Sequence, residues 1–233
     1  MSTVLFAHER PSVTRVVSHV LQARGFSVDA VRDGDAAADA LRTKRYGALV
    51  VDVALPRRPG FELVEFARAE FEAGRGAGTV VLVASVFRKT SYKRRPARLY
   101  GADDYVELHH LGDMLPDKLA RLLGVSSAAA DEQGDAATNA AVHAIGDERF
   151  EAESPEDLAA LITADVVLYN GDRIAETATV AEARSALLDD LDVATDLLRQ
   201  VYAARGEHKD AAAAIEGSFA ALMRTMGRRE VSA

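Results

Sequence analysis

The stretch ALVVDVALPRRPG, Ala48–Gly60, decides how this chain is read. Apolar residues run without a break into one acid, Asp52, and Pro56, Pro59 and Gly60 then mark a turn. A run that is apolar at successive rather than alternate positions is a strand covered on both faces. Such strands belong to parallel sheets, whose ligands sit beyond the carboxyl ends of the strands. Asp52 stands at one of those ends. The question it poses is whether it is a working site.

Outward from this strand the same pattern repeats. Before it, TVLFA (3–7) reads as a strand. SVTRVVSHVLQARG (12–25) reads as a helix, with Val13, Val16, Val17, Val20 and Leu21 at helical spacing and Gly25 as its stop. FSVDAV (26–31) is the second strand. DGDAAADALRTKRY (33–46) is a helix whose acidic start and basic end suit its dipole. After Asp52, GFELVEFARAEFEAG (60–74) is a helix and TVVLVAS (79–85) the fourth strand. TSYKRRPARLYG (90–101) reads as a short helix around Pro96, DDYVEL (103–108) as the fifth strand and LGDMLPDKLARLLG (111–124) as a last helix. Strands alternating with helices predict an α/β fold, a doubly wound five-stranded parallel sheet with right-handed crossovers. Its strand ends bring forward His8 and Glu9, Asp52, Ala84 and Ser85, and Glu107, Leu108 and His109.

The 233 residues suffice for one good core and a second, smaller one. There is no cysteine, which excludes disulfides, thiolate metal sites and cysteine nucleophiles. No apolar run reaches the roughly 18 residues of a membrane span, and the N-terminus does not read as a secretory signal, so a cytoplasmic protein is expected. Charge divides unevenly. Residues 1–125 carry 19 Lys+Arg and 15 Asp+Glu, whereas residues 126–233 carry 9 and 21. The second half is therefore acidic, the wrong sign for phosphate contacts, and no DNA binding is expected of it.

The reading divides the chain into a domain at 1–124, a flexible linker at 125–153 rich in Ala, Ser, Asp and Gly, and a small all-α interaction domain at 154–233. Ser154-Pro155-Glu156-Asp157 is a strong helix start. Leu158, Leu161, Ile162, Val166 and Tyr169 then line one face until Asn170-Gly171 stops the helix. Leu187, Leu191, Ala194, Leu198 and Val201, and later Ile215, Phe219, Leu222 and Met226, form two further stripes. They suit an antiparallel helical hairpin or a seam for another chain.

Two motifs carry a resemblance. VVDVALPRRPGFELVE and YGADDYVE are similar to the receiver domain of two-component response regulators, over residues 1–124. The resemblance implies a phospho-accepting aspartate at Asp52 and an acidic pair that holds Mg²⁺, here His8 and Glu9. It also implies a hydroxyl at the end of the fourth strand, here Ala84 with Ser85 adjacent, and a lysine at the end of the fifth, here Leu108. Only Asp52 matches outright. The expectation is a degenerate receiver acting through protein–protein contacts, with little or no phosphorylation-driven switching and no cofactor beyond weak Mg²⁺ at Glu9 and Asp52. A phospho-acceptor at Asp52 is the alternative within signalling. An alternative of another class is a small hydrolase-like enzyme using Asp52 and His8. His8 and His109 also read as ordinary loop histidines, or as ligands of a metal with Asp52 or Glu9.

A basic segment, Arg88, Lys89, Lys93, Arg94, Arg95 and Arg98, is the candidate partner surface. It suits an acidic signalling protein, RNA or anionic lipid, or the chain's own acidic half reached through the linker. The partner is expected among signalling proteins, a kinase or a polarity or motility factor, and oligomers could form through the receiver or the C-terminal helices. ITADVVLYNGDRIAE resembles a short helical module of bacterial signalling proteins; Thr163, Asp165, Tyr169 and Asn170 carry the likeness.

Overall fold

The computed structural model describes residues 2–84, 99–125 and 155–229. Ser85, the cations Arg88, Lys89, Lys93, Arg94, Arg95 and Arg98, the short helix expected at 90–101, nearly all of the linker and Ser154 lie outside them, as does the side chain of His109. The described residues fall into two units.

The first unit runs β1 (Thr3–Ala7), α1 (Pro11–Ala23), β2 (Ser27–Val31), α2 (Gly34–Thr43), β3 (Arg45–Asp52), α3 (Gly60–Glu72), β4 (Gly76–Ala84), β5 (Asp104–Glu107) and α4 (Leu115–Leu123). The sheet order is β2-β1-β3-β4-β5 and every pairing is parallel. This is the expected doubly wound sheet. Side chains alternate across it. Val4 and Phe6 of β1, Ala48 and Val50 of β3, Val81 and Val83 of β4 and Val106 of β5 pack with α1 and α4 through Val13, Val17, Leu21, Leu115 and Leu119. On the opposite face α2 and α3 cover the sheet with buried Ala37, Ala38, Leu41, Leu63, Val64 and Ala67.

Local chemistry fixes the ends of these elements. Asp33 caps α2, its carboxylate accepting from the Ala36 N–H at 2.9 Å. α3 starts without a side-chain cap, at Gly60. A Cβ there would lie 2.5 Å from the Asp52 carbonyl oxygen, so only glycine lets the helix start so close to the end of β3. The strand expected to end on Leu108 stops at Glu107, and Leu108 opens a 3₁₀ turn. Leu108 turns into the core beside Leu111 and Leu115, which ends the ladder.

The second unit is helical: α5 (Pro155–Tyr169), α6 (Gly171–Ala175), α7 (Val180–Ala186), α8 (Leu188–Ala204) and α9 (Ala211–Thr225). Two expectations are corrected here. α5 does not bury one face alone, for every residue from Leu161 to Tyr169 is buried. A helix apolar all round is central to its bundle, and α8 and α9 both pack on it as well as on each other. Within the two stripes, Tyr202 and Met223 are buried where Val201 and Met226 were expected. α5 ends at Tyr169, as Asn170-Gly171 led one to expect, and α6 follows at once. α7 begins with a capping box: Thr179 accepts from the Glu182 N–H, and Glu182 accepts from the N–H groups of Ala178 and Thr179. Those two backbone N–H groups hold the Glu182 carboxyl below its usual pKa. Arg229 bridges to Thr179 in parallel fashion, its N–H donating to the Ala178 carbonyl and its carbonyl accepting from the Val180 N–H, which ties the end of the described chain to the start of α7.

Candidate functional site at the carboxyl edge of the sheet

Strand register builds the site. Phe6 lies beside Val50 and Ala7 beside Val51. One step further along both strands, His8 comes beside Asp52. Their side chains meet, with His8 Nε2 3.3 Å from Asp52 Oδ2. His8 is 0% exposed and Asp52 1%. His8 is therefore no ordinary loop histidine.

Each partner is held from a second side. The Asp52 Oδ1 accepts from the Ala54 N–H at 3.0 Å. The His8 Nδ1 accepts from the Arg10 N–H at 3.1 Å. An imidazole nitrogen that accepts carries no proton, so the ring proton sits on Nε2, the edge facing Asp52. The His8 N–H continues the strand ladder to the Val31 carbonyl at 3.1 Å, and the ring lies nearly parallel to that of Phe6, with centroids 6.0 Å apart.

The remaining positions differ in chemistry from what the resemblance implies. Ala84, paired with Glu107 across β4 and β5, is fully buried and offers only a methyl group. Leu108, 5% exposed, lies in the apolar core. Glu9 is partly exposed, and its carbonyl accepts from Arg32 Nε at 3.1 Å. The structure thus brings His8 and Asp52 into contact and sets Ala84 and Leu108 at neighbouring strand ends.

Sequence reasoning did not find the ion pairs that brace this edge. The two acids of Ala102-Asp103-Asp104 have structural work. Asp103 Oδ2 accepts from the Val80 N–H and Arg68, both at 2.7 Å. Asp104 pairs with Lys118 at 2.7 Å and Arg121 at 2.8 Å. Lys118 and Arg121, three apart on α4, were the available signal.

The Mg²⁺ that the resemblance implies does not fit these side chains. Magnesium requires oxygen ligands in near-octahedral array. At the first acidic position there is a ring whose protonated nitrogen faces the carboxylate, and the nitrogen that could ligate a metal is engaged by backbone. No group of three or more His, Asp or Glu among the described residues could hold a metal ion.

This sheet and the position of Asp52 define the class: residues 4–108 match the family model of the response regulator receiver domain, so this region is a receiver domain. Among curated proteins the chain is 28% identical over 103 residues to the transcriptional regulatory protein DltR of Streptococcus agalactiae, 44% of this chain and 43% of that protein. It is 32% identical over 105 residues to the Probable transcriptional regulatory protein TcrX of Mycobacterium tuberculosis, 45% of this chain and 42% of that protein. The match spans less than half the length of these relatives. Among solved structures, the response regulator TrrA of Thermotoga maritima, in complex with the histidine kinase ThkA, is 22% identical with a TM-score of 0.42, covering 53% of this chain and 99% of that one. The receiver domain of the Pseudomonas aeruginosa sensor histidine kinase PA1611, with a magnesium ion in its active-site cleft, is 21% identical with a TM-score of 0.42, covering 53% and 98%.

In the second unit, Thr163 and Asp165 are buried in α5 and Tyr169 closes it. Asn170 donates to the Val166 carbonyl at 2.9 Å and accepts from Arg173 at 3.2 Å. These four residues pack and terminate a helix. No helix of the described residues is long and apolar enough to cross a membrane.

Proposed function

We propose that this protein is a two-component-type signalling adaptor whose receiver domain and acidic helical domain, at 1–124 and 154–233, bind partner proteins with little or no switching by phosphoryl transfer. The observation that carries this reading is the surround of Asp52: the His8 imidazole on its carboxylate, and Ala84 and Leu108 where a hydroxyl and an ammonium would be needed. Phosphoryl transfer is positioning and charge neutralisation. A charged hydrogen bond to a buried phosphoryl group contributes roughly 1.5–3 kcal/mol, and Leu108 supplies none. Without a hydroxyl on Ala84, a phosphoryl group on Asp52 has nothing there to pull β4 with.

The protein is then not an enzyme and uses no cofactor. A hydrolase-like use of His8 and Asp52 is poorly supported, because both side chains are buried and Nδ1 of the ring is taken by the Arg10 N–H. Its partners are signalling proteins in the cytoplasm, a histidine kinase among them, met through the basic segment Arg88–Arg98. The relatives' role in transcription does not extend readily to this chain, whose second half is acidic.

Acetyl phosphate with Mg²⁺, followed by intact mass, tests the reading. The wild type should gain no phosphoryl mass. A gain that Asp52→Asn abolishes overturns the reading in favour of a phospho-accepting regulator, the alternative supported by Asp52 itself, still at the end of β3.

A further inference from the structure

Asp52 is a buried carboxylate, and its charge must be met by something. The groups that meet it come from the chain. Oδ1 takes the Ala54 N–H, and the Nε2 edge of His8 lies 3.3 Å from Oδ2. That edge is set by backbone: the Arg10 N–H donates into Nδ1 and so fixes the proton on Nε2. The same bond disarms His8 as a metal ligand, because a ligating Nε2 would need its proton moved to Nδ1, against the Arg10 N–H. Stacking on Phe6 and the ladder bond to Val31 hold the ring where it is.

We infer that His8 is an internal substitute for the divalent cation: its imidazole, 3.3 Å from Asp52 Oδ2, stands at the position where the resemblance implies a metal-holding acid and keeps the metal out. This deepens the adaptor reading at the same site and rests on it. It differs from a mere weak site in a specific way. Exclusion is the work of one side chain, and replacing that side chain by a carboxylate should admit the ion.

The probe is Mn²⁺, whose free-ion paramagnetic signal reports binding directly. It is titrated into the full-length wild type, Asp52→Asn, His8→Asp and the double variant His8→Asp/Asp52→Asn. The wild type should leave as much Mn²⁺ free as Asp52→Asn does. His8→Asp should bind at least about tenfold more tightly, and the double variant should lose that gain. Wild-type binding that Asp52→Asn abolishes overturns the inference, and so does a folded His8→Asp, checked by circular dichroism, that binds no better than wild type.

Should His8→Asp not fold, long-range ¹H–¹⁵N spectra of the wild type decide, with the His8 signals identified by their loss in His8→Asn. The Nε2-protonated tautomer, unchanged by Mg²⁺, supports the inference; the Nδ1-protonated form or a Mg²⁺-dependent shift overturns it. No phosphoryl donor is present in these experiments. Metal binding by the wild type therefore sinks this inference alone, while the adaptor reading falls only on phosphoryl uptake.

Discussion

Tyr46 and Asp29 show how a single contact sets a titration. The Tyr46 ring is buried, and its hydroxyl donates to Asp29 Oδ2 at 3.1 Å; Lys44 donates to the same oxygen at 2.7 Å. Lys44 is the main cause that lowers the Asp29 pKa. Burial first, and Asp29 second, push the Tyr46 hydroxyl up to about 12. The folded state thus favours neutral Tyr46, a stabilisation fully present below pH 10 and lost as pH rises through about 12. Asp29 acts oppositely: its contribution is present above 3.8 and lost as pH falls through its lowered pKa. Tyr46 should ionise only near pH 12 in an alkaline absorbance titration, and Tyr46→Phe should reduce the amplitude of that late phase. A Tyr46→Phe curve that overlays the wild type refutes this placement of the phenol.

At the scale of elements, glycines of opposite meaning sit in two helices. Gly60 opens α3 against the Asp52 carbonyl, where an added Cβ would lie at 2.5 Å. Gly60→Ala should therefore push α3 away from β3 and destabilise the receiver domain by about 1–3 kcal/mol. Gly217, exposed in the interior of α9, has nothing within 4 Å of its added Cβ. Gly217→Ala should stabilise the helical unit by up to about 1 kcal/mol through helix propensity alone. Urea unfolding of both variants reads the two signs. Gly60 was legible as a helix start, but the contact that requires it was not, because β3 and α3 approach each other only once folded. α5 shows the same limit. Leu158, Leu161, Ile162, Val166 and Tyr169 were read as lining one face, yet Thr163 and Asp165 are buried with them. A sequence pattern carries period and polarity, not the number of neighbours that will surround a helix.

For the whole molecule, the uneven charge is the broadest feature, with 19 Lys+Arg in residues 1–125 and 21 Asp+Glu in residues 126–233. A basic segment that binds an acidic partner should do so through screened, salt-dependent contacts. In pull-downs with the full-length chain, Arg94→Glu/Arg95→Glu should lose the partners that the wild type retains at low salt. Raising the salt should release those same partners from the wild type. Retention that is equal in both proteins and insensitive to salt would show that partners bind elsewhere.

The sequence by itself determined the five-stranded parallel sheet, its helices, the helical second unit and the position of Asp52. These follow from local runs, spacing and stop signals, which act within a few residues. Tertiary structure alone decided what Asp52 is. Register brings β1 and β3 level, so His8, 44 positions earlier, arrives buried against its carboxylate. The Arg10 N–H then chooses which edge of the ring faces it. Burial, tautomer and contact depend on strands distant in sequence meeting at one edge, and no local pattern encodes that meeting.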